Sequence, residues 1–271
     1  MRFAFFSGAN RSAGIFGIRL AYCSAVESGR VEPALDGEVR RRCVLSRATL
    51  EAPGLQIDDP EAVNYLSRAI RLRSGDRIEC FDGQGAAREA QLQKVSNRQI
   101  CGQWLEQVRT IHRPRACYPL PVLALLKGKD NDEAIRVHSE LGLPKLRFFY
   151  AERDARGKAS LPLDRWRRVV QEACRQSGGY HLLQIEIRSD LAEAIEDLRD
   201  HQFYFGDAHG ERPNPLDQQT AVVIGPEGGF SSNELDQLHR VGARGIRLGW
   251  GTLRARSASV VLPAALSLGA S

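Results

Sequence analysis

One short segment, residues 220–231, does most to limit how this chain can fold. Its apolar part, Ala221-Val222-Val223-Ile224, is mostly β-branched and predicts a strand buried on both faces. The strand ends at Gly225-Pro226-Glu227-Gly228-Gly229, a combination that suits neither a strand nor a helix. Ser232 and Asn233 then offer an N-cap for a following helix. A buried strand that opens into a glycine-rich turn at its carboxyl end is where open α/β sheets bind ligands.

Strands and helices alternate along residues 116–271. Besides the strand at 221–224, strand patterns occur at residues 120–126, 145–150, 182–187, 203–205 and 244–248. Helical patterns occupy residues 130–141, 163–176, 191–198 and 253–268, with the last interrupted at Pro263. This alternation predicts an α/β domain with a parallel sheet.

Residues 41–112 predict a small β-rich domain instead. Strand-like segments at 78–81, 86–95 and 99–108 are separated by turn residues. We place the domain boundary at His112-Arg113-Pro114-Arg115, where prolines begin to cluster. A chain of 271 residues has room for two such domains.

The net charge of +5 lies entirely in the first part of the chain. Residues 1–115 hold 18 Lys and Arg against 13 Asp and Glu, whereas residues 116–271 hold 20 of each. Four arginines of the β-rich region stand close together, and we expect them to bind RNA phosphates: Arg68, Arg71, Arg73 and Arg77. A solvated charged face, or a genome whose codons favour arginine, would give the same pattern.

Several classes of protein are disfavoured by the sequence. No apolar run approaches the length of a membrane span, so we expect a soluble protein. The six cysteines are far apart, which favours free thiols in the cytoplasm over disulfides or a zinc site. Residues 1–40 are expected to be an extension outside the fold, although a transit peptide or a start near Val39 stays open.

A second glycine-rich segment repeats the design of the first. Residues 246–254 read as the end of a strand followed by a loop before a helix. Neither segment contains a dinucleotide fingerprint or a P-loop, which argues against an unrelated nucleotide-binding enzyme. Two such loops from neighbouring strands would face one cleft.

These motifs resemble the ribosomal small subunit uridine N3-methyltransferases, the RsmE family of the SPOUT class. The resemblance is carried by Ile224-Gly225-Pro226-Glu227-Gly228-Gly229-Phe230-Ser231, by Ile246-Arg247-Leu248-Gly249 and by Leu253-Arg254. Weaker matches are Lys127-Gly128, Glu152-Arg153 and Gln176-Ser177-Gly178. In the first domain, residues 72–76 and 81–83 resemble the PUA-like RNA-binding domain of that family. The resemblance extends over about residues 41–268.

The resemblance implies a trefoil-knotted, parallel-sheet methyltransferase domain preceded by a PUA-like β-barrel. It implies a homodimer that uses S-adenosylmethionine to methylate N3 of a uridine in 16S ribosomal RNA, with no metal. The implied cofactor-binding residues are Ile224, Gly225, Pro226, Gly228, Gly229, Leu248, Gly249, Thr252 and Leu253. A third wall is implied near Gly206 and Asp207. Gly228→Val is therefore expected to abolish cofactor binding without unfolding the protein.

Two residues are candidates for the chemistry. Arg254 would stabilise a uracil anion, since a guanidinium favours negative charge that develops nearby; the alternative is that it caps the final helix. Glu227 would accept the N3 proton; the alternative is that its carboxylate binds loop amides.

The chain departs from the family pattern at four positions. The pattern Arg-x-Glu-Thr-Ala reads Arg254-Ala255-Arg256-Ser257-Ala258 here, so a carboxylate has become a cation. Arg175 and Gly179 replace an acid and an arginine, and Val137 replaces a lysine. These changes leave a second hypothesis open, namely a degenerate relative that binds ribosomal RNA without methylating it.

Overall fold

A computed structural model describes residues 41–113, 118–153, 160–212, 219–249 and 251–267 of the chain. The predicted extension at residues 1–40 lies outside the described residues, as do Pro114 and Arg115 of the predicted domain boundary. Among the described helices, none combines the length and the apolar character that crossing a membrane requires.

The first part of the described chain forms a small mixed sheet. Its described strands are β1 (Arg42–Val44), β2 (Leu55–Ile57), β3 (Arg77–Phe81), β4 (Ala86–Val95), β5 (Ile100–Trp104) and β6 (Arg109–Thr110). They lie in the order β1-β3-β4-β5-β2, and β6 pairs with β4. The β1–β3 pair is parallel and the other pairs are antiparallel. This is the β-rich architecture that the sequence predicts for the region.

Two short helices, α1 (Arg47–Glu51) and α2 (Pro60–Asn64), accompany this sheet. Helix α2 begins where its sequence favours a start, because the Asp59 carboxylate accepts a hydrogen bond from the Ala62 amide. A single π-helical turn, Tyr65–Ala69, continues α2. Such turns often occur at functional sites.

The second part of the chain forms a parallel sheet. Its described strands are β7 (Leu120–Ala124), β8 (Lys145–Phe149), β9 (Gln184–Arg188), β10 (Gln202–Glu211), β11 (Thr220–Ile224) and β12 (Arg244–Ile246). They lie in the order β12-β10-β11-β7-β8-β9, and every neighbouring pair is parallel. The strand order reverses beside β7, and open α/β sheets bind ligands at such a reversal.

Helices cover both faces of the parallel sheet. They are α3 (Asp130–Glu140), α4 (Leu163–Ser177), α5 (Leu191–Glu196), α6 (Ser232–Arg240) and α7 (Ala255–Ser267). Val222 and Ile224 pack with α3, α4 and α7, whereas Ala221 and Val223 pack with α5 and α6. Successive side chains of a strand point to opposite faces, so an apolar run such as β11 belongs between two helical layers. The predicted α/β fold with a parallel sheet is confirmed.

Strand β10 and helix α7 differ from the prediction in ways that have a physical cause. Strand β10 continues past residue 205 to Glu211, because pairing with β12 holds a segment that has no apolar pattern. Helix α7 begins at Ala255 and continues through Pro263 to Ser267, so the predicted interruption is wrong. Leu262 and Leu266 are buried on either side of Pro263, and this packing outweighs the hydrogen bond that a proline removes.

The bond lost at Pro263 leaves the Ser259 carbonyl without its helical donor. The His138 imidazole of α3 is fully buried and interacts with the Ser259 backbone, although it does not reach hydrogen-bond geometry with a described residue. Burial lowers the pKa of His138 to about 4, and the Ser259 backbone offsets only part of this effect. The imidazole is therefore neutral at pH 7.

Candidate functional site

A cavity of about 540 Å³ lies at the carboxyl ends of β11 and β12, beside the middle of β10. Its walls come from the middle of β10, from the loops that follow β11 and β12, and from the first half of α7. The lining residues are Gly206, Asp207, Ala208, Ile224, Gly225, Pro226, Glu227, Gly229, Phe230, Ile246, Arg247, Leu248, Gly251, Thr252, Leu253, Arg254, Ala255, Ala258 and Leu262. The volume is in the range of small-molecule and cofactor sites.

The loop after β11 forms a tight turn. The Gly229 amide donates to the Pro226 carbonyl at 2.9 Å, and Gly229 adopts a φ of 71°, in the region that favours glycine. A Cβ on Gly225 would lie 3.1 Å from two carbon atoms of the Phe230 ring. Gly225 therefore makes room for the Phe230 ring, and Gly229 allows the turn; both residues line the cavity.

Contacts behind the cavity fix this loop. The buried Glu234 carboxylate accepts from the Ser231 amide at 2.7 Å and from the Glu152 amide at 3.0 Å. Arg153 donates to the Gly228 carbonyl at 3.1 Å. Glu234 and Ser231 also form a capping box at the start of α6. The network ties the loop after β11 to the segment after β8.

The second loop, after β12, is tied to strand β10. The Arg247 amide donates to the Glu211 carbonyl and its Nε donates to the Gly210 carbonyl, both at 2.9 Å. Gly249 adopts a φ of 80°. Leu248 and Leu253 pack against the apolar core beneath. Trp250 lies outside the described residues.

The third wall is formed where β10 passes the cavity. The Asp207 carboxylate accepts from the His209 amide at 2.9 Å, which orients it in a local turn. A Cβ on Gly245 would lie 2.8 Å from an Asp207 carboxylate oxygen, so a side chain there would displace this carboxylate. Gly206 and Asp207 both line the cavity, at the place the resemblance implies.

The structure brings most of the predicted cofactor residues to one cavity. Those on the wall are Ile224, Gly225, Pro226, Gly229, Leu248, Thr252 and Leu253, whereas Gly228 and Gly249 are not among the lining residues. The φ of Gly228 is not in the left-handed region, and a Cβ there would meet Arg153 Cβ at 3.9 Å. The positive φ and the place on the wall belong to Gly229, whose amide forms the turn hydrogen bond with Pro226.

The two predicted catalytic residues lie on opposite loops of the cavity. Arg254 is exposed on the wall, and its carbonyl accepts from the Ala258 amide at 2.8 Å at the start of α7. Glu227 is also exposed on the wall, and its Oε1 accepts from the Lys127 amide at 3.4 Å. The backbone of Arg254 thus starts the helix, while its guanidinium stays available to the cavity.

Sequence reasoning missed several wall residues. Ala208 lies within β10 and Phe230 follows the turn after β11, whereas Ala258 and Leu262 come from α7. The glycine-rich patterns gave no signal for the α7 residues, because that helix reaches the cavity only through tertiary packing. The helical spacing of four residues between Ala258 and Leu262 could have shown that they share one face.

The residues that depart from the family pattern lie away from the cavity wall. Arg256 pairs with Asp130 at 3.8 Å. Arg175 pairs with Glu172 at 2.5 Å and lies 4.1 Å from the centroid of the Tyr65 ring. Val137 is half-buried on α3, and Gly179 is a backbone acceptor at the end of α4.

The four predicted RNA-binding arginines are all exposed, and within the described residues none forms an ion pair. Arg71 has a φ of 58°, and it is the only non-glycine residue with a positive φ in the described ranges. It follows the π-helical turn, and the Leu72 amide then reaches back to the Leu66 carbonyl at 3.0 Å.

Comparisons with known proteins agree with this geometry. A family model described as an RNA methyltransferase domain matches residues 120–267, and an RNA methyltransferase PUA domain matches residues 57–103. Ribosomal RNA small subunit methyltransferase E of Synechocystis sp. is 30% identical over 214 residues, which cover 73% of this chain and 68% of that protein. The protein of the same name from Helicobacter pylori is 30% identical over 190 residues, 67% of this chain and 80% of that protein.

Solved structures show the same fold. The crystal structure of a ribosomal RNA small subunit methyltransferase E from Neisseria gonorrhoeae, bound to S-adenosylmethionine, superposes with a TM-score of 0.70 at 21% identity. It covers 84% of this chain and 96% of its own. A methyltransferase from Legionella pneumophila, in complex with the same cofactor, gives a TM-score of 0.70 at 20% identity and the same coverage.

Proposed function

Because this chain belongs to the ribosomal RNA small subunit methyltransferase E family of RNA methyltransferases, we propose that it methylates N3 of a uridine in 16S ribosomal RNA. S-adenosylmethionine is the methyl donor in this proposal. The observation that carries it is the cavity in which strand β10 and the loops after β11 and β12 meet.

The cavity fits the cofactor in shape and chemistry. Ile224, Leu248 and Leu253 offer apolar surface for an adenine ring, and Gly225 and Gly229 leave backbone groups open to a ligand. When bound, the cofactor supplies a methyl group already activated by a sulfonium. The protein therefore has to align the target nitrogen and manage its proton.

Arg254 and Glu227 divide that work. N3 of uracil must lose its proton before its electron pair is free to form the bond to the methyl carbon. Glu227 accepts this proton, since the Lys127 amide binds Oε1 and, among the described residues, Oε2 has no hydrogen-bond partner. The Arg254 guanidinium stabilises the negative charge that the uracil ring then carries.

We propose the domain bounds, the RNA-binding surface, the knot loops and the assembly from the same family membership. In this proposal a PUA-like RNA-binding domain occupies residues 41–112 and the methyltransferase domain residues 116–271, after an extension at residues 1–40. Exposed arginines of the first domain, including Arg68 and Arg77, bind RNA phosphates. The loops 225–229 and 248–253, which share the cavity, are the knot loops. The protein works as a cytoplasmic homodimer.

Mass spectrometry of 16S ribosomal RNA from a deletion strain tests the proposal. We expect 3-methyluridine to disappear and to return with the wild-type gene. Arg254→Ala should restore it at a rate about 100-fold lower, the usual cost of removing one charge-stabilising donor. The matched control is Arg240→Ala, an exposed arginine of α6 that donates to its own helix.

The two hypotheses differ in the deletion strain. If 3-methyluridine persists without the gene while the purified protein still binds 16S ribosomal RNA, the chain is a binding protein and the proposal is wrong. Calorimetry with S-adenosylmethionine accompanies the test. Arg254→Ala should keep its affinity within a few-fold, because Arg254 is assigned to the base.

A further inference from the structure

A buried arginine outside the cavity joins the two parts of the chain. Arg42 lies on β1 with 5% of its surface exposed, and its Nε donates to the equally buried Glu79 of β3 at 2.8 Å. Glu79 also accepts from Arg109 and from the Tyr180 hydroxyl, each at 2.8 Å. Tyr180 belongs to the segment between α4 and β9, so the cluster connects the first sheet to the second part of the chain.

The remaining donors of Arg42 point at the end of helix α4. Its Nη1 donates to the Cys174 carbonyl at 3.1 Å, and its Nη2 donates to the Gly179 carbonyl at 2.8 Å. A cation at a helix C-terminus satisfies carbonyl groups that the helix leaves free. Arg42 thus caps a helix that belongs to the other part of the chain.

Two aromatic rings pack against the same guanidinium. Its central carbon lies 4.4 Å from the centroid of the Phe81 ring and 4.5 Å from that of Tyr180. Phe81 comes from the first sheet and Tyr180 from the second part of the chain, and the two rings meet edge to face with their centroids 6.1 Å apart. Arginine suits this place, since its planar group stacks and its fork of donors reaches several acceptors.

The backbone next to this cluster also joins the two parts. The Gly85 amide donates to the Tyr180 carbonyl at 3.0 Å, and the Leu182 amide donates to the Gly83 carbonyl at 2.9 Å. A Cβ on Gly83 would lie 2.5 Å from the Leu182 side chain. The approach is so close that it requires glycine, which leaves little freedom for the two parts to move separately.

We infer that Arg42 is a positioning residue that locks the PUA-like domain onto the methyltransferase domain. Resting on the proposed function, the lock holds RNA bound by the first domain at a fixed place relative to the cavity. A rigid connection raises the effective concentration of the target uridine at the cavity. A loose connection would give up this gain without changing the cavity.

Burial alone does not explain Arg42, and Arg147 provides the comparison. Arg147 of β8 is also buried, and it pairs with Glu186 at 2.6 Å and with Asp197 at 2.6 Å. All of its partners belong to the parallel-sheet part of the chain. Arg42→Lys and Arg147→Lys therefore remove the same donors from equally buried sites, but only the first site joins the two domains.

Scanning calorimetry of the full chain, with and without cofactor, tests the lock. We expect one cooperative transition for the wild type and for Arg147→Lys, and two separate transitions for Arg42→Lys. In methylation assays, Arg42→Lys should raise KM for small ribosomal subunits about tenfold, with kcat and the Kd of S-adenosylmethionine within twofold.

A single transition for Arg42→Lys, or equal changes in KM for the two variants, would overturn the inference. If Arg42→Lys fails to fold, Tyr180→Phe replaces it, because it removes only the hydroxyl that binds Glu79. Two transitions or a two- to threefold higher KM would then support the lock, and wild-type values for both would overturn it. The calorimetry stands even if the protein methylates nothing, so the lock and the proposed function fail separately.

Discussion

Replacing Arg71 with glycine should make the protein more stable and weaken its binding to RNA. An L-residue in the left-handed region costs about 1–2 kcal/mol relative to its usual conformation. Arg71 occupies that region with a φ of 58°, at a helix end where glycine is usual. Glycine removes this cost but adds about 0.5–1 kcal/mol of backbone entropy to the unfolded chain. The net expectation is a gain of about 0.5–1 kcal/mol in the free energy of unfolding.

The matched control is Arg73→Gly. Arg73 is exposed in the same loop but has no positive φ, so glycine there should cost about 0.5–1 kcal/mol. Urea unfolding measures both variants. Filter binding to transcribed 16S ribosomal RNA at several salt concentrations should show the salt slope falling by about 0.7 in each, one phosphate contact apiece. A destabilised Arg71→Gly, or an unchanged salt slope, would refute the argument that strain is kept here for RNA binding.

Two further predictions concern the cavity and the core. Gly229→Ala should destabilise the protein by about 1–2 kcal/mol, because alanine is strained at a positive φ, and it should weaken S-adenosylmethionine binding. Gly228→Ala should change stability and binding little. Urea unfolding and titration calorimetry measure the two variants, and equal effects would contradict the prediction. The folded pKa of His138, about 4, lies below its ordinary value of 6.5, so stability that is complete above pH 6.5 should fall by about 3 kcal/mol as the pH drops to 4. His138→Gln should flatten this part of the pH–stability curve, and an unchanged slope would show that another group causes it.

The strand and loop of the cavity could be predicted because each signal is local. The apolar run 221–224 needs two helical layers, and the break at Gly225-Pro226 fixes where the strand ends. The sequence does not show which of the two glycines adopts the positive φ, because that depends on the hydrogen bond between Gly229 and Pro226. A turn with two adjacent glycines gives no sequence signal for that choice.

Contacts between residues that are far apart along the chain could not be predicted from the sequence. Arg42 meets carbonyls more than 130 positions away, and no pattern along the chain pairs an arginine with a helix end in another domain. The predicted helix interruption at Pro263 was wrong for a related reason. Its helix survives because Leu262 and Leu266 are buried in the core, and their packing partners come from elsewhere in the chain.

The charge changes at Arg175 and Arg256 bear directly on the hypothesis of a degenerate relative. A cation that replaces a carboxylate would damage the site if it faced the ligand. Neither residue is on the cavity wall. Arg175 forms an ion pair with Glu172, and Arg256 forms one with Asp130. The Arg256 side chain is exposed, and a surface pair of this kind changes stability by less than about 1 kcal/mol. The Arg175 side chain is largely buried, and it also packs over the Tyr65 ring. The altered charges are therefore paired outside the cavity, and Arg254 and Glu227 remain on its wall.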